Sequence, residues 1–345
     1  MASWWAILTA PRTDLAFSVK QARAPVLEVK DLEIRIHADA GAFTVVSGMS
    51  LSVAPGETVC LVGESGCGKS MTALSLLGLL PKGARVTGGD IRIEGRDLNS
   101  LSLREIEDLR GDRIAMVFQD ALTALNPVMT IGDQIAESVR RHRGGAGAWE
   151  RAVETLRLVR MPDPERRARQ YPYELSGGMR QRAMIALALA CEPRIIVADE
   201  PTTALDVTIQ AQILGLISDL QRRLGAAHLL ITHDLGVVSE VADRVVVLYA
   251  GRPVEQASVF DLFDQPLHPY TVALMGAIPR SVPGRPRQER LTDISCAVPA
   301  MWNLPPSCAF APRCPRAVER CRSERPPYEE KRPGHFAACW EVAVG

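Results

Sequence analysis

Eight consecutive residues, Gly63-Glu64-Ser65-Gly66-Cys67-Gly68-Lys69-Ser70, follow a short apolar run and precede a helical pattern. They fit G-x-x-x-x-G-K-[ST], the pattern of a loop that wraps phosphates. Its glycines let backbone N–H groups converge on an anion, and the following helix adds the partial positive charge of its N-terminus. Lys69 suits the β- and γ-phosphates, and Ser70 suits Mg²⁺. The ligand this chemistry implies is a nucleoside triphosphate. An accidental glycine-rich turn is the bland alternative, and the strand-loop-helix context argues against it.

Three further polar groups follow apolar runs. Ile195-Ile196-Val197-Ala198-Asp199-Glu200 reads as a buried strand ending in two acids. At such a strand end, beside a phosphate loop, Asp199 suits the Mg²⁺ shell and Glu200 suits polarising an attacking water. His233 lies in Thr232-His233-Asp234 after another strand, placed to approach the γ-phosphate from the side. Gln119 follows the strand Ile114–Phe118 and can sense Mg²⁺ or water, so the Mg²⁺ set is Ser70, Gln119 and Asp199. Alone, the histidine and the glutamine would carry no functional signal.

The elements that must position these residues are legible from periodicity. Strands are expected over Val26–His37, Phe43–Val53, Glu57–Val62, Ile91–Glu94 and Ile114–Phe118, with a helix from Lys69 to about Leu80. Helices Gly132–Arg143 and Trp149–Val159, separated by a flexible Gly144-Gly145-Ala146-Gly147, fill a helical stretch from about 120 to 171. Strand and helix then alternate through Arg194–Ala198, Val207–Leu224, His228–Thr232 and Leu235–Ala242, the rhythm of a mostly parallel sheet. Arg244–Tyr249 and Arg252–Gln256 read as a closing hairpin. After Pro279 the composition shifts to Pro, Arg and Cys.

The chain has 345 residues, with 40 Lys+Arg against 40 Asp+Glu, so no global basic field points to a nucleic-acid partner. No run reaches the roughly 18 apolar residues of a membrane span. Met1–Ala10 is apolar but short and lacks a basic start, so a signal peptide is not expected. A cytosolic chain, with any membrane role supplied by partners, is the expectation. Of eight cysteines, Cys60, Cys67 and Cys191 read as small apolar residues in or near the core. The other five follow residue 295, where a reducing cytosol argues against disulfides.

Taken in order, these motifs resemble the ATP-binding subunit of an ATP-binding cassette (ABC) transporter over roughly residues 26–280. Ser176-Gly177-Gly178-Met179-Arg180-Gln181 is similar to the family signature, and Ala204-Leu205-Asp206 to its D-loop. The resemblance implies an α/β fold of ABC-type P-loop ATPase, with a mixed sheet core, an antiparallel β part and a helical subdomain. It makes Glu200 the catalytic base, His233 a switch and Gln119 the coupling glutamine. Ser176, Gly177, Gly178, Gln181 and Asp206 would serve the site of a facing subunit, so two ATPase chains close around ATP. Phe43 is the nearest candidate for the aromatic that stacks on adenine, core packing being its other reading.

Phe118-Gln119-Asp120-Ala121-Leu122-Thr123-Ala124-Leu125-Asn126-Pro127 resembles the oligopeptide/dipeptide/nickel permease branch, where prolines and serines usually stand at Ala121 and Ala124. Tyr171–Ser176, Thr202–Val207, and Leu267-His268-Pro269-Tyr270-Thr271 with Ala277-Ile278-Pro279 look like the same branch. That likeness implies an importer of di- or oligopeptides, with nickel or glutathione as other solutes. Its partners would be a sister ATPase or second copy, two membrane permeases and an extracytoplasmic solute-binding protein. Its place would be the cytoplasmic face of the bacterial inner membrane.

The tail carries Cys308, Cys314, Cys321 and Cys339. Four thiols in a Pro-rich stretch with little apolar periodicity suggest a metal in place of a core. Their gaps exceed the close pairs zinc prefers, so a four-cysteine iron–sulfur cluster is reasonable, with zinc and unliganded thiols as alternatives. Resembling peptide-permease tails include some that hold a [4Fe-4S] cluster. Cys296 stands outside the set. The expected division is 1–25 as a flexible extension, 26–279 as the nucleotide-binding domain with its helical part at about 120–171, and 280–345 as a small Cys-rich C-terminal extension. Two other functions compete with transport: a soluble ABC ATPase, and a metal- or redox-sensing module that uses ATP as a switch.

Overall fold

The computed structural model describes residues 24–38, 41–202, 206–277 and 298–343. Most of the expected N-terminal extension, Ala204 and Leu205 of the D-loop, Cys296 and the expected boundary near 279 lie outside the described residues.

Two sheets form the frame. The smaller is antiparallel, in the order β2-β1-β4-β5, with β1 at Leu27–Ala38, β2 at Gly41–Val53, β4 at Ala84–Ile93 and β5 at Arg96–Asp97. The larger contains β3 (Thr58–Val62), β6 (Ile114–Val117), β7 (Ile195–Asp199), β8 (Ala227–Thr232), β9 (Arg244–Tyr249), β10 (Arg252–Ser258), β11 (Glu329–Arg332) and β12 (His335–Ala337). Its order is β11-β12-β10-β9-β3-β8-β7-β6. The stretch β9-β3-β8-β7-β6 is parallel, as the βαβ rhythm requires.

The parity of β3 explains why two cores form. Val59 and Leu61 face the smaller sheet, while Cys60 and Val62 face the helical layer. All four are buried to 1 % exposure or less, the pattern of a strand covered on both faces. Cys67 and Cys191 are buried as well, in keeping with their reading as small apolar residues.

The register then sets the site. Val62 pairs with Thr232, Asp199 with Ile231, and Val117 with Ala198. The residues that follow these strand ends, Gly63, His233, Glu200 and Gln119, therefore emerge along one edge of the sheet, where ligands of parallel sheets sit.

Several elements differ from the sequence reading. The helix after the phosphate loop, α1, runs Lys69–Leu76 and stops short of Leu80, where Gly78 and Pro81 oppose continuation. Strand β4 begins at Ala84 rather than Ile91: its first half is partly exposed, and Gly88-Gly89 interrupts the alternation that would have joined it to Ile91. Helix α2, Leu103–Leu109, was not expected. A capping box explains it: the Ser102 hydroxyl accepts from the Glu105 N–H, and the Glu105 carboxylate accepts from the Ser102 N–H at 2.8 Å.

The tail departs most. Its hairpin β11–β12 continues the large sheet through Glu255↔Ala337 and Gln256↔Phe336. Phe310 enters the helical-side core, with ring centroids 5.2 Å from Tyr249 and 5.4 Å from Tyr270. The tail thus shares the core of the nucleotide-binding part instead of lacking one. Charged residues along β11, Glu329-Glu330-Lys331-Arg332, protect the new sheet edge from pairing with another chain.

Candidate nucleotide site

The phosphate loop is built by close backbone approach. A Cβ on Gly63 would stand 2.3 Å from the Leu248 carbonyl oxygen, and one on Gly68 would stand 2.7 Å from that of Val45. Gly68 also has φ +98°, which side-chain-bearing residues avoid. Lys69 is 5 % exposed, and its Nζ donates to the carbonyls of Gly63 at 2.8 Å and Glu64 at 3.0 Å. The ammonium is thus held inside the loop.

Asp199 and Ser70 meet across this loop. The Ser70 hydroxyl is near enough to the Asp199 carboxylate to favour its charged form, and Oδ1 of that carboxylate is buried without a hydrogen-bond partner. Burial pushes the Asp199 carboxyl above its ordinary range; nearby Glu200 adds to the shift, while Ser70 and Lys69 oppose it. An orphaned buried carboxylate oxygen beside a hydroxyl is a donor set that suits Mg²⁺ once phosphate oxygens complete the shell.

Glu200 lies at the next position with φ +44°, a left-handed conformation for a residue with a side chain. Its N–H donates to the Ile231 carbonyl at 2.9 Å, which fixes this turn. One carboxylate oxygen, Oε2, receives Gln119 Nε2 at 3.3 Å and lies 3.3 Å from His233 Nδ1. The structure therefore brings Gln119, Glu200 and His233 together around one oxygen, with the imidazole largely exposed. This arrangement can hold a water between a base and the phosphates.

The glycine turn at 176–178 opens a different element. Ser176 caps helix α3 (Gly177–Leu189) with no side-chain bond to the helix N–H groups, and the helix packs beside β6. Gln181 is buried and donates to the carbonyl of Pro201, the residue after Glu200. Its side chain is therefore engaged within its own chain, whereas the sequence reading grouped it with residues serving a partner. Asp206 caps helix α4 (Val207–Leu224) by accepting from the Ile209 N–H at 3.0 Å. Phe43 is half-buried and meets Trp302 edge-on at 6.2 Å, the packing role that competed with base stacking.

The tail cysteines Cys308, Cys314, Cys321 and Cys339 line one pocket with Phe310 and Trp340. Burial raises the thiols of Cys308, Cys314 and Cys339 above the ordinary cysteine range. Among the described residues, no three His, Cys, Asp or Glu side chains are grouped so as to hold a metal ion. Neither the iron–sulfur nor the zinc expectation therefore finds support in this geometry.

Sequence reasoning missed three residues close to this chemistry. Arg313, from the tail, grips the Glu64 carboxylate of the phosphate loop through two bonds, 2.7 and 3.0 Å. Tyr270 accepts from the Glu64 N–H at 3.0 Å; it belongs to the Leu267–Thr271 motif, which signals a branch but not a position. Glu255, at 0 % exposure, accepts from the N–H groups of Leu267 and His268 and from His335 Nε2.

Comparison with known proteins agrees with this geometry. Residues 46–203 match the ABC transporter family, and residues 254–321 match the oligopeptide/dipeptide transporter C-terminal region. The chain is 55 % identical over 318 residues to a Sinorhizobium fredii protein named a probable peptide ABC transporter ATP-binding protein, covering 91 % of this chain and 94 % of the relative. It is 46 % identical to the oligopeptide transport ATP-binding protein AppD of Bacillus subtilis, with 91 % and 96 % covered. For OppD of Salmonella typhimurium the identity is 43 %, with 95 % and 97 % covered. The fold resembles a dimeric ATP-binding cassette solved in a post-hydrolysis state with ADP and Pi: TM-score 0.61, 29 % identity, 68 % of this chain and 98 % of that one. With a nucleotide loop, strand-end carboxylates and full-length relatives of one kind, the chain belongs to the ABC transporter ATP-binding proteins, within their oligopeptide/dipeptide branch.

Proposed function

We propose that this chain is the ATP-hydrolysing subunit of a bacterial peptide importer, acting at the cytoplasmic face of the inner membrane. The observation that carries the reading is the convergence of Gln119 and His233 on one oxygen of Glu200, beside the Ser70–Asp199 pair. The names of the relatives supply the solute class, since AppD and OppD are oligopeptide transport proteins. No described helix is long and apolar enough to cross a membrane, so the transport path belongs to separate permease subunits. An extracytoplasmic binding protein would deliver the solute.

In this reading Lys69 leaves the carbonyls of Gly63 and Glu64 for the β- and γ-phosphates. Ser70 and Asp199, with Gln119, would hold Mg²⁺, which would supply charge neutralisation at the phosphates. Glu200 orients and deprotonates the attacking water, while His233 steadies the γ-phosphate from the side. Most of the rate gain is positioning and electrostatic stabilisation, as phosphoryl transfer demands. The turn 176–178 and Asp206 serve the site of a facing ATPase, so binding energy for ATP becomes closure of a dimer. The helical part at about 120–171 contacts the permeases, and residues 26–279 act as the nucleotide-binding unit, with the described part of the tail, residues 298–343, docked on it.

A further component of this reading is a [4Fe-4S] cluster held by Cys308, Cys314, Cys321 and Cys339, which share one pocket. Its role is to fasten the tail.

The test is affinity purification of the Glu200→Gln chain from native membranes with ATP. Recovery of two multi-span permeases and an ATPase partner supports the importer. Recovery of soluble partners alone overturns it in favour of a soluble ABC ATPase.

A further inference from the structure

Glu64 is held by four hydrogen bonds from three residues. Its N–H donates to the Tyr270 hydroxyl at 3.0 Å, and its carbonyl receives Lys69 Nζ at 3.0 Å. Its carboxylate receives Arg313 Nη1 at 2.7 Å and Nη2 at 3.0 Å. The partner lies 249 residues away in the chain. The Arg313 side chain is only 3 % exposed, and its guanidinium sits 5.8 Å over the Tyr249 ring while bonding the Tyr249 hydroxyl at 3.4 Å. Arg313 closes a short turn, Ala311–Arg313, that follows Phe310. Phe310, Tyr249 and Tyr270 form a three-ring cluster with centroids 4.7 to 5.4 Å apart. The arginine therefore stands on a rigid aromatic base, and it reaches the one long acidic side chain of a glycine-rich loop.

We propose that Arg313 is a positioning residue for ATP binding, and that the C-terminal tail is for this reason a working part of the nucleotide site. A loop with glycines at 63, 66 and 68 has many shapes available, and only those with converging N–H groups bind phosphate well. Holding the loop in the binding shape beforehand removes an ordering cost that ATP would otherwise meet. A forked arginine on a carboxylate is suited to this task because it fixes orientation as well as distance. Tyr270 holds the backbone of the same residue, so arginine and tyrosine together fix both ends of Glu64. Arg313 also adjoins Cys314, which places the cysteine pocket one residue from the clasp. The inference rests on ATP binding at residues 63–70 and does not require the cluster.

A pair that merely fastens the tail would change stability and leave nucleotide affinity alone, so the experiment separates KM from kcat. Full-length chain, assembled with its permeases in lipid discs, is assayed for ATP turnover well below its melting temperature. Arg313→Gln is expected to raise KM for ATP about tenfold with kcat changed less than about threefold, and Arg313→Lys to recover part of the loss. Glu64→Gln, a milder change from the loop side, is expected to match Arg313→Gln, and the double variant to be no worse than either single one. Unchanged KM in both single variants overturns the proposal, as does a double variant whose effect is the product of the two. Iron and sulfide are measured on the same samples. A wild-type chain without metal that still shows the KM split supports the clasp while removing the cluster. A KM that rises only in proportion to metal lost overturns the clasp.

Discussion

Replacing Glu255 by Gln tests what holds the tail against the sheet. Oε1 of this fully buried carboxylate accepts from the Leu267 N–H at 2.7 Å and from His335 Nε2 at 2.7 Å, and Oε2 accepts from the His268 N–H at 2.9 Å. His335 Nδ1 has no hydrogen-bond partner, which places the ring proton on Nε2. Glutamine matches the volume, so no cavity forms. Its carbonyl can keep the two bonds on Oε1, but its amide then points N–H against the N–H of His268. One bond is lost, a buried donor is left without an acceptor, and the other two bonds lose charge assistance. Each loss is worth about 1–3 kcal/mol, and one-sided disruption of a buried charged group costs about 3–5 kcal/mol, so a destabilisation of about 3 kcal/mol is expected. The assay is urea unfolding of the full chain at neutral pH, followed by tryptophan fluorescence, because Trp302 and Trp340 lie in the tail. An unfolding free energy within about 0.5 kcal/mol of wild type would refute the argument that this carboxylate organises the junction.

Three other outcomes follow from single observations. Gly68→Ala places a methyl group 2.7 Å from the Val45 carbonyl at φ +98°; ATP affinity measured by fluorescent-nucleotide displacement should fall at least about tenfold, a strain of about 1.4 kcal/mol or more. His228 is buried in β8 with its pKa lowered to about 4 by desolvation, and its Nε2 has no partner. The folded state therefore favours the neutral ring: this stabilisation is present above the ordinary value of 6.5 and is lost as pH falls towards 4, about 3 kcal/mol in all. Melting curves of His228→Leu should accordingly show a shallower loss of stability between pH 6.5 and 4 than wild type, and parallel curves would count against the assignment. Cys314→Ser should abolish bound iron in anaerobically purified chain, by iron and acid-labile sulfide analysis; unchanged iron would remove Cys314 from the ligand set.

Much of the nucleotide site was legible because its signals are local. The loop 63–70 and the acids Asp199 and Glu200 announce themselves within a few residues, Gln119 and His233 gain meaning only from their order and strand-end positions, and the parallel register then aligns all of them. The long helix Val207–Leu224 was equally plain, since 18 residues of apolar periodicity outweigh any local ambiguity. The capping box at Ser102 and Glu105 was visible in principle, but the helix it starts is short and mostly exposed, so periodicity did not point to it. What the sequence concealed was pairing between distant segments. The stretch 329–337 reads as charged and irregular because it supplies a sheet edge, where only one strand face is buried and the residues that guard the edge are acids and bases. Arg313 reads as one more basic residue in a Pro- and Cys-rich tail, for nothing within its own neighbourhood names a carboxylate 249 positions away. The HPYT-like motif marked a branch of the family, yet its tyrosine acts through geometry, by meeting the first residue after Gly63. Both omissions have the same cause. A phosphate loop advertises its glycines because each must be glycine, whereas its supports can stand anywhere in the chain that folding brings to the loop.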